Sequence, residues 1–92
     1  MLTLGQISEA MEDLKDWSLE SDSINKVFSF ASFKESVEFV NKVSEVAEKI
    51  NHHPEILISF NQVRLLLTTH DEHGLSRKDF ELAKEIDRLE TN

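Results

Sequence analysis

Three of the four histidines in this 92-residue chain stand where they could move protons. His52 and His53 form a tandem pair directly before the only proline, Pro54, and His70 follows downstream. Histidine is the side chain whose ordinary pKa permits proton exchange near neutral pH, so this concentration points to general acid–base chemistry. Glu48 precedes His52 by one helical turn, where a carboxylate pairs with the ring and holds its orientation, with Pro54 shaping the backbone behind it. Other chemistries find less support. Adjacent histidines lack the i, i+4 geometry that aims two imidazoles at one ion, no H-E-x-x-H run occurs, and cysteine is absent, so no metal site is expected. Ser59 and Ser76 occupy no glycine-rich elbow of the kind that exposes a nucleophile. A purely structural reading stands beside the functional one, because cationic residues near a helix C-terminus favour its dipole whatever else they do. Asp79 reads as the acid of a helix cap and not as catalytic. Phe60 reads as core, Trp17 as core or pocket, and His73 as a loop residue without a role.

Elements must position those rings. Proline biases the preceding His53 away from helical geometry, so a helix should end near Asn51 or His52 and send the two imidazoles in different directions. Three helix starts share one signal, a hydroxyl three residues before an amide or acid: Thr3 with Gln6, Ser32 with Glu35, Ser76 with Asp79. Apolar stripes follow each: Leu4, Ile7, Met11 and Leu14; Val40, Val43, Ala47 and Ile50 flanked by Phe39 and Val46; Phe80, Ala83 and Ile86 with Leu82 and Leu89. Strand-like runs lie between them, Trp17 to Glu20 and Ile24 to Ala31 about a turn at Asp22-Ser23, then Ile56 to Phe60 and Val63 to Thr69 about Asn61-Gln62. The economical fold is α+β in the order α-β-β-α-β-β-α, a four-stranded antiparallel sheet with three helices packed on one face. Strand alternation places Val63, Leu65 and Leu67 toward the helices and His70 off the core, near a strand end.

Composition bounds the function. Residues 1–92 make one domain, of a size that buries roughly 60% of its unfolded surface, so self-association would help its stability. Eighteen acidic against ten basic residues give a net charge of -8, which argues against nucleic acid and against an anionic membrane surface. No apolar run is long enough to span a bilayer and no secretory signal pattern opens the chain, so a cytoplasmic location is expected.

The spacing of Glu48, His52-His53-Pro54, Phe60, His70 and Asp79 resembles the pterin-4a-carbinolamine dehydratase family. The likeness extends through Phe28-Ser29-Phe30, Phe39, Asn61-Gln62-Val63, Thr69-His70-Asp71 and Gly74-Leu75-Ser76 to Leu82-Ala83. Departures fall at Ile56 and Leu57, where many relatives carry Trp, and at Phe60, which stands where Tyr is usual. The resemblance implies the same helices-on-one-face fold and a hydro-lyase acting on 4a-hydroxytetrahydropterin in tetrahydropterin recycling, with no cofactor beyond the pterin substrate. It implies catalytic roles for His52, His53 and His70, a pterin pocket lined by Asn51, His52, His53, Thr68, Thr69, His70 and Asp71, and a homodimer or homotetramer. Two alternatives come with it: a protein-binding dimerisation cofactor, and action on another pterin, such as in molybdopterin metabolism.

Overall fold

The period-2 and period-3.6 apolar patterns fold as expected, with element ends moved by a residue or two. The computed structural model describes residues 2–90. Its order is α1 (Leu4–Glu12), β1 (Ser18–Glu20), β2 (Ser23–Ser29), α2 (Phe33–Ile50), β3 (Glu55–Ser59), β4 (Gln62–Leu67), a 3-10 turn (His70–Glu72) and α3 (Arg77–Glu90). The strands form one antiparallel sheet in the order β1-β2-β4-β3. Pairing of Ile24 with Leu67, Lys26 with Leu65 and Phe28 with Val63 sets these side chains on one face. Against that face pack Phe39, Val43 and Ala47 of α2 and Phe80, Leu82, Ala83 and Ile86 of α3, all buried. Phe28 meets Phe39 at 4.8 Å between ring centroids and Trp17 edge-on at 6.3 Å. The opposite face leaves Val27 and Leu57 exposed.

Two sequence readings change. Leu4 is 84% exposed, because α1 reaches the core only through half-buried Ile7, Ala10 and Met11, with Leu14 just beyond its end. Phe60, read as core, is 69% exposed at φ 53° in the β3–β4 turn. Pairing of Ser59 with Gln62 closes that hairpin on Phe60-Asn61, one residue earlier than the pattern suggested. Asn61 pins this register: its carbonyl accepts from the Phe30 amide at 2.8 Å, and its side-chain amide donates to the Phe30 carbonyl at 3.2 Å.

One cation lies within the helix-covered side. Lys26 is 7% exposed, its Nζ donates to Asp87 Oδ1 at 2.9 Å, and it sits 4.8 Å from the Phe28 ring centroid. Trp17 Nε1 donates to the same carboxylate at 3.0 and 3.1 Å. Asp87 therefore ties the later turns of α3 to β2 and to the segment leading into β1. Truncating it leaves the Trp17 indole N–H unpaired and leaves the buried Lys26 ammonium only its longer contact with Glu90, at 3.6 Å. Asp87→Ala should lower the free energy of unfolding by about 2 kcal/mol, read as an earlier midpoint in urea at unchanged slope.

Candidate functional site

The end of α2 is built to turn the chain sharply. Asn51 caps it in the left-handed region at φ 59° and ψ 45°, and the amide of His52 reaches back to the Ala47 carbonyl at 3.1 Å. That 6→1 bond is the Schellman closure, which requires a left-handed residue; Asn tolerates that backbone better than most residues other than Gly. Pro54 then keeps the chain extended toward β3. The consequence is a split between neighbours: His52 is turned inward at 12% exposure, while His53 faces solvent at 60%.

His52 meets an acid whose part the sequence reading left out. Its Nε2 lies 2.5 Å from Oδ1 of Asp79, which is fully buried. Oδ2 of Asp79 accepts from Thr69 Oγ1 at 2.7 Å and from the Ser76 amide at 2.9 Å. The last contact is the expected cap at the start of α3, formed in one direction only. Ser76 Oγ does not complete it and lies instead 2.7 Å from Thr69 Oγ1. A cap hydroxyl contributes about 1 kcal/mol to helix stability, so its diversion marks Thr69 as the stronger claimant. Asp79 is thus both cap and partner of a histidine. The acid was visible in the sequence as the third residue after Ser76; that it faces His52, 27 positions away, was not.

Glu48 also changes partner. Read as an i, i+4 mate of His52, it pairs instead with His53, Oε2 to Nε2 at 2.5 Å, on the surface. The helix has ended at Asn51, so helical spacing no longer governs which ring faces Glu48.

The remaining site residues flank the loop after β4. Thr69 and Gly74 close that loop with reciprocal backbone bonds at 2.9 and 3.3 Å, and His70 opens the 3-10 turn between them, exposed. An open cavity of about 660 Å³ has Asn51, His52, Thr69, Asp71, Ser76, Arg77 and Lys78 among its lining residues. His70 and Thr68 line a second hollow of about 330 Å³ on the other side, with Glu55 and His73. Thr68 itself donates to the Asp22 carbonyl at 2.7 Å. The structure therefore gathers Asn51, His52, Thr69 and Asp71 at one cavity, places Thr68 and His70 at its neighbour, and leaves His53 outside both linings. A further groove between α1 and α3 carries four acids but no histidine.

Comparisons with known proteins agree with this architecture. The family model for Pterin 4 alpha carbinolamine dehydratase matches residues 1–89. Relatives carrying the name of that dehydratase include one from Sulfurisphaera tokodaii, 48% identical over 90 residues, covering 98% of this chain and 97% of its own. Another, from Chloroflexus aurantiacus, is 46% identical over 88 residues, covering 96% and 95%. The crystal structure of a transcriptional coactivator/pterin dehydratase from Brucella melitensis superposes with a TM-score of 0.91 at 30% identity, covering 96% of both chains.

The left-handed backbone at Asn51 gives a direct check. Asn51→Val should destabilise the fold by about 1–2 kcal/mol in denaturant titration, whereas Asn51→Gly should leave it as stable as the parent or more so.

Proposed function

The chain belongs to the pterin 4 alpha carbinolamine dehydratase family, and from that premise we propose that it eliminates water from 4a-hydroxytetrahydropterin to give the quinonoid dihydropterin by histidine acid–base catalysis. The reading places it in tetrahydropterin recycling. The observation that carries the mechanism is the half-buried His52 ring, braced by the buried carboxylate of Asp79 at the wall of an open cavity.

The chemistry asks for two proton movements. The C4a–O bond breaks and the departing hydroxyl takes a proton to leave as water. The N5–H proton passes to a base, and its electron pair closes the C4a–N5 double bond. No electrons are gained or lost, so imidazoles suffice and no cofactor is called for. His52 is the histidine held in a fixed orientation, and the Asp79 carboxylate is placed to stabilise the imidazolium that forms when the ring accepts a proton. His53 and His70 face solvent, one backed by Glu48 and the other on the 3-10 turn. The family pattern assigns them to deliver the second proton and orient the ring system, with His70 acting from the hollow it lines and His53 from outside both linings. Asn51 and Asp71 line the same cavity as His52, which suits them to hydrogen-bond the edges of a pterin, whereas the Thr69 hydroxyl is given to Asp79 and the Thr68 hydroxyl to the Asp22 carbonyl. The location assigned is the cytoplasm, consistent with an acidic chain in which no helix among the described residues is long and apolar enough to cross a membrane.

We assign a homo-oligomer as the working form. β3 stands at the sheet edge with Ile56 and Leu57 exposed, and Phe60 projects beside it. An uncovered edge strand carrying apolar side chains is a template for pairing with another chain. Light scattering at micromolar concentration should give a dimer or tetramer mass; a monomer at every concentration tested contradicts the assignment.

Stopped-flow measurement of carbinolamine dehydration tests the catalytic reading. His52→Ala should slow the catalysed step by about a hundredfold, and Asp79→Asn should follow it in the same direction. Removal of His53 or His70 should give smaller losses above a residual spontaneous rate. If all three histidine variants run at the parent rate, the acid–base assignment fails.

A further inference from the structure

Building on the dehydratase reading, we propose that the hydroxyls of Thr69 and Ser76 are positioning groups that hold His52 in a single tautomer, with Nε2 protonated and Nδ1 left to exchange the proton with substrate. The inference follows from counting protons along the chain of contacts. A threonine hydroxyl has one proton to give. Thr69 Oγ1 donates it to Asp79 Oδ2 at 2.7 Å, so the 2.7 Å contact between Thr69 Oγ1 and Ser76 Oγ must be donated by Ser76. The direction is fixed: Ser76 to Thr69, Thr69 to Asp79.

Asp79 is fully buried and takes its donors from protein groups. Oδ2 receives the Thr69 hydroxyl and the Ser76 amide, and Oδ1 is left facing His52 Nε2 at 2.5 Å. Oδ2 already accepts twice and so carries no proton, and a carboxylate is acceptor-only, which makes the ring nitrogen opposite Oδ1 the donor in this assignment. With Nε2–H committed to Asp79, the nitrogen free for chemistry is Nδ1. In its neutral form that nitrogen carries the lone pair needed to take the N5 proton, and the resulting imidazolium still donates to Asp79 without rearrangement. The second ring nitrogen sets which one reacts, as in other carboxylate–histidine pairs.

Two features indicate that the hydroxyls serve the histidine and not only the helix start. Ser76 holds the cap position of α3, yet its Oγ is bonded to Thr69, and the Asp79 amide falls to the Ser76 carbonyl at 3.2 Å. Thr69 is in turn locked by its paired backbone bonds to Gly74, so the relay crosses a loop whose ends are already closed. Remove the Thr69 hydroxyl and Asp79 Oδ2 keeps only the Ser76 amide; remove the Ser76 hydroxyl and Thr69 Oγ1 loses the donor that orients it toward Asp79. Either change loosens the carboxylate and releases the His52 ring.

The test pairs kinetics with a direct reading of the ring. Long-range 15N–1H correlation spectra of the intact protein should show His52 protonated at Nε2, and Thr69→Val and Ser76→Ala should give a mixture of tautomers. In stopped-flow assays Thr69→Val should lower kcat about tenfold with KM nearly unchanged, and Thr69→Ser should restore both kcat and spectrum. An unchanged His52 spectrum in Thr69→Val and Ser76→Ala overturns the proposal, as does a rise in KM at constant kcat, which would make Thr69 a substrate contact instead. Thr69→Ser keeps the hydroxyl, so its failure to rescue overturns it as well. The two readings fail separately. A parent protein that does not dehydrate the carbinolamine but shows the hydroxyl-dependent Nε2–H tautomer defeats the function and supports the positioning. An active parent whose tautomer ignores both hydroxyls does the reverse.

Discussion

A buried carboxylate must be met by donors on each oxygen, and Asp79 imposes that demand where three separate parts of the chain converge. The donors come from His52 just past α2, from Thr69 just past β4, and from Ser76 at the start of α3. None of these contacts is optional in the energetic sense, because an ionised carboxylate left without partners in an apolar interior costs several kcal/mol. Satisfying one side chain therefore fixes the end of a helix, the end of a strand and the beginning of another helix relative to one another. The cavity wall that carries His52 is a by-product of that requirement.

The same principle holds α3 at its other end. Asp87 takes donors from Lys26 and Trp17, so the helix is tied to the sheet by a carboxylate near each terminus, with Leu82, Ala83 and Ile86 packed between them. Helix and sheet are thus joined at both ends of α3, and the loop that connects them starts and finishes at those contacts. On that loop the exposed 3-10 turn carries His70 and Asp71. The molecule combines one imidazole anchored from behind with others set in solvent, a division that suits proton transfer between a bound substrate and water.

Much of this was legible in the chain. Helix and strand periodicities in the apolar residues specified the element order and the buried sheet face, because burial on one side leaves a repeat of 3.6 or 2 that no tertiary contact needs to supply. Pro54 and the tandem histidines likewise announced a bend with two rings leaving it. The readings that failed share a cause. Leu4 and Phe60 were judged by type and spacing, but exposure depends on where a helix overhangs its sheet and on which pair of residues closes a hairpin. Phe30, 31 positions away, decided the latter through its bonds to Asn61. Glu48 was assigned its partner by helical geometry that stops one residue too soon.

By itself, then, the sequence determined the fold class, the family pattern and the residue types able to move protons, since each depends on local order and repeat. Only the tertiary structure decided which imidazole is braced and by what. A hydrogen bond between His52 and Asp79 depends on three backbone segments meeting within a few ångströms, and such meetings leave no periodic trace along the chain. The same holds for the choice of Thr69 over the helix cap by the Ser76 hydroxyl, a competition that is resolved only once both partners are present in space.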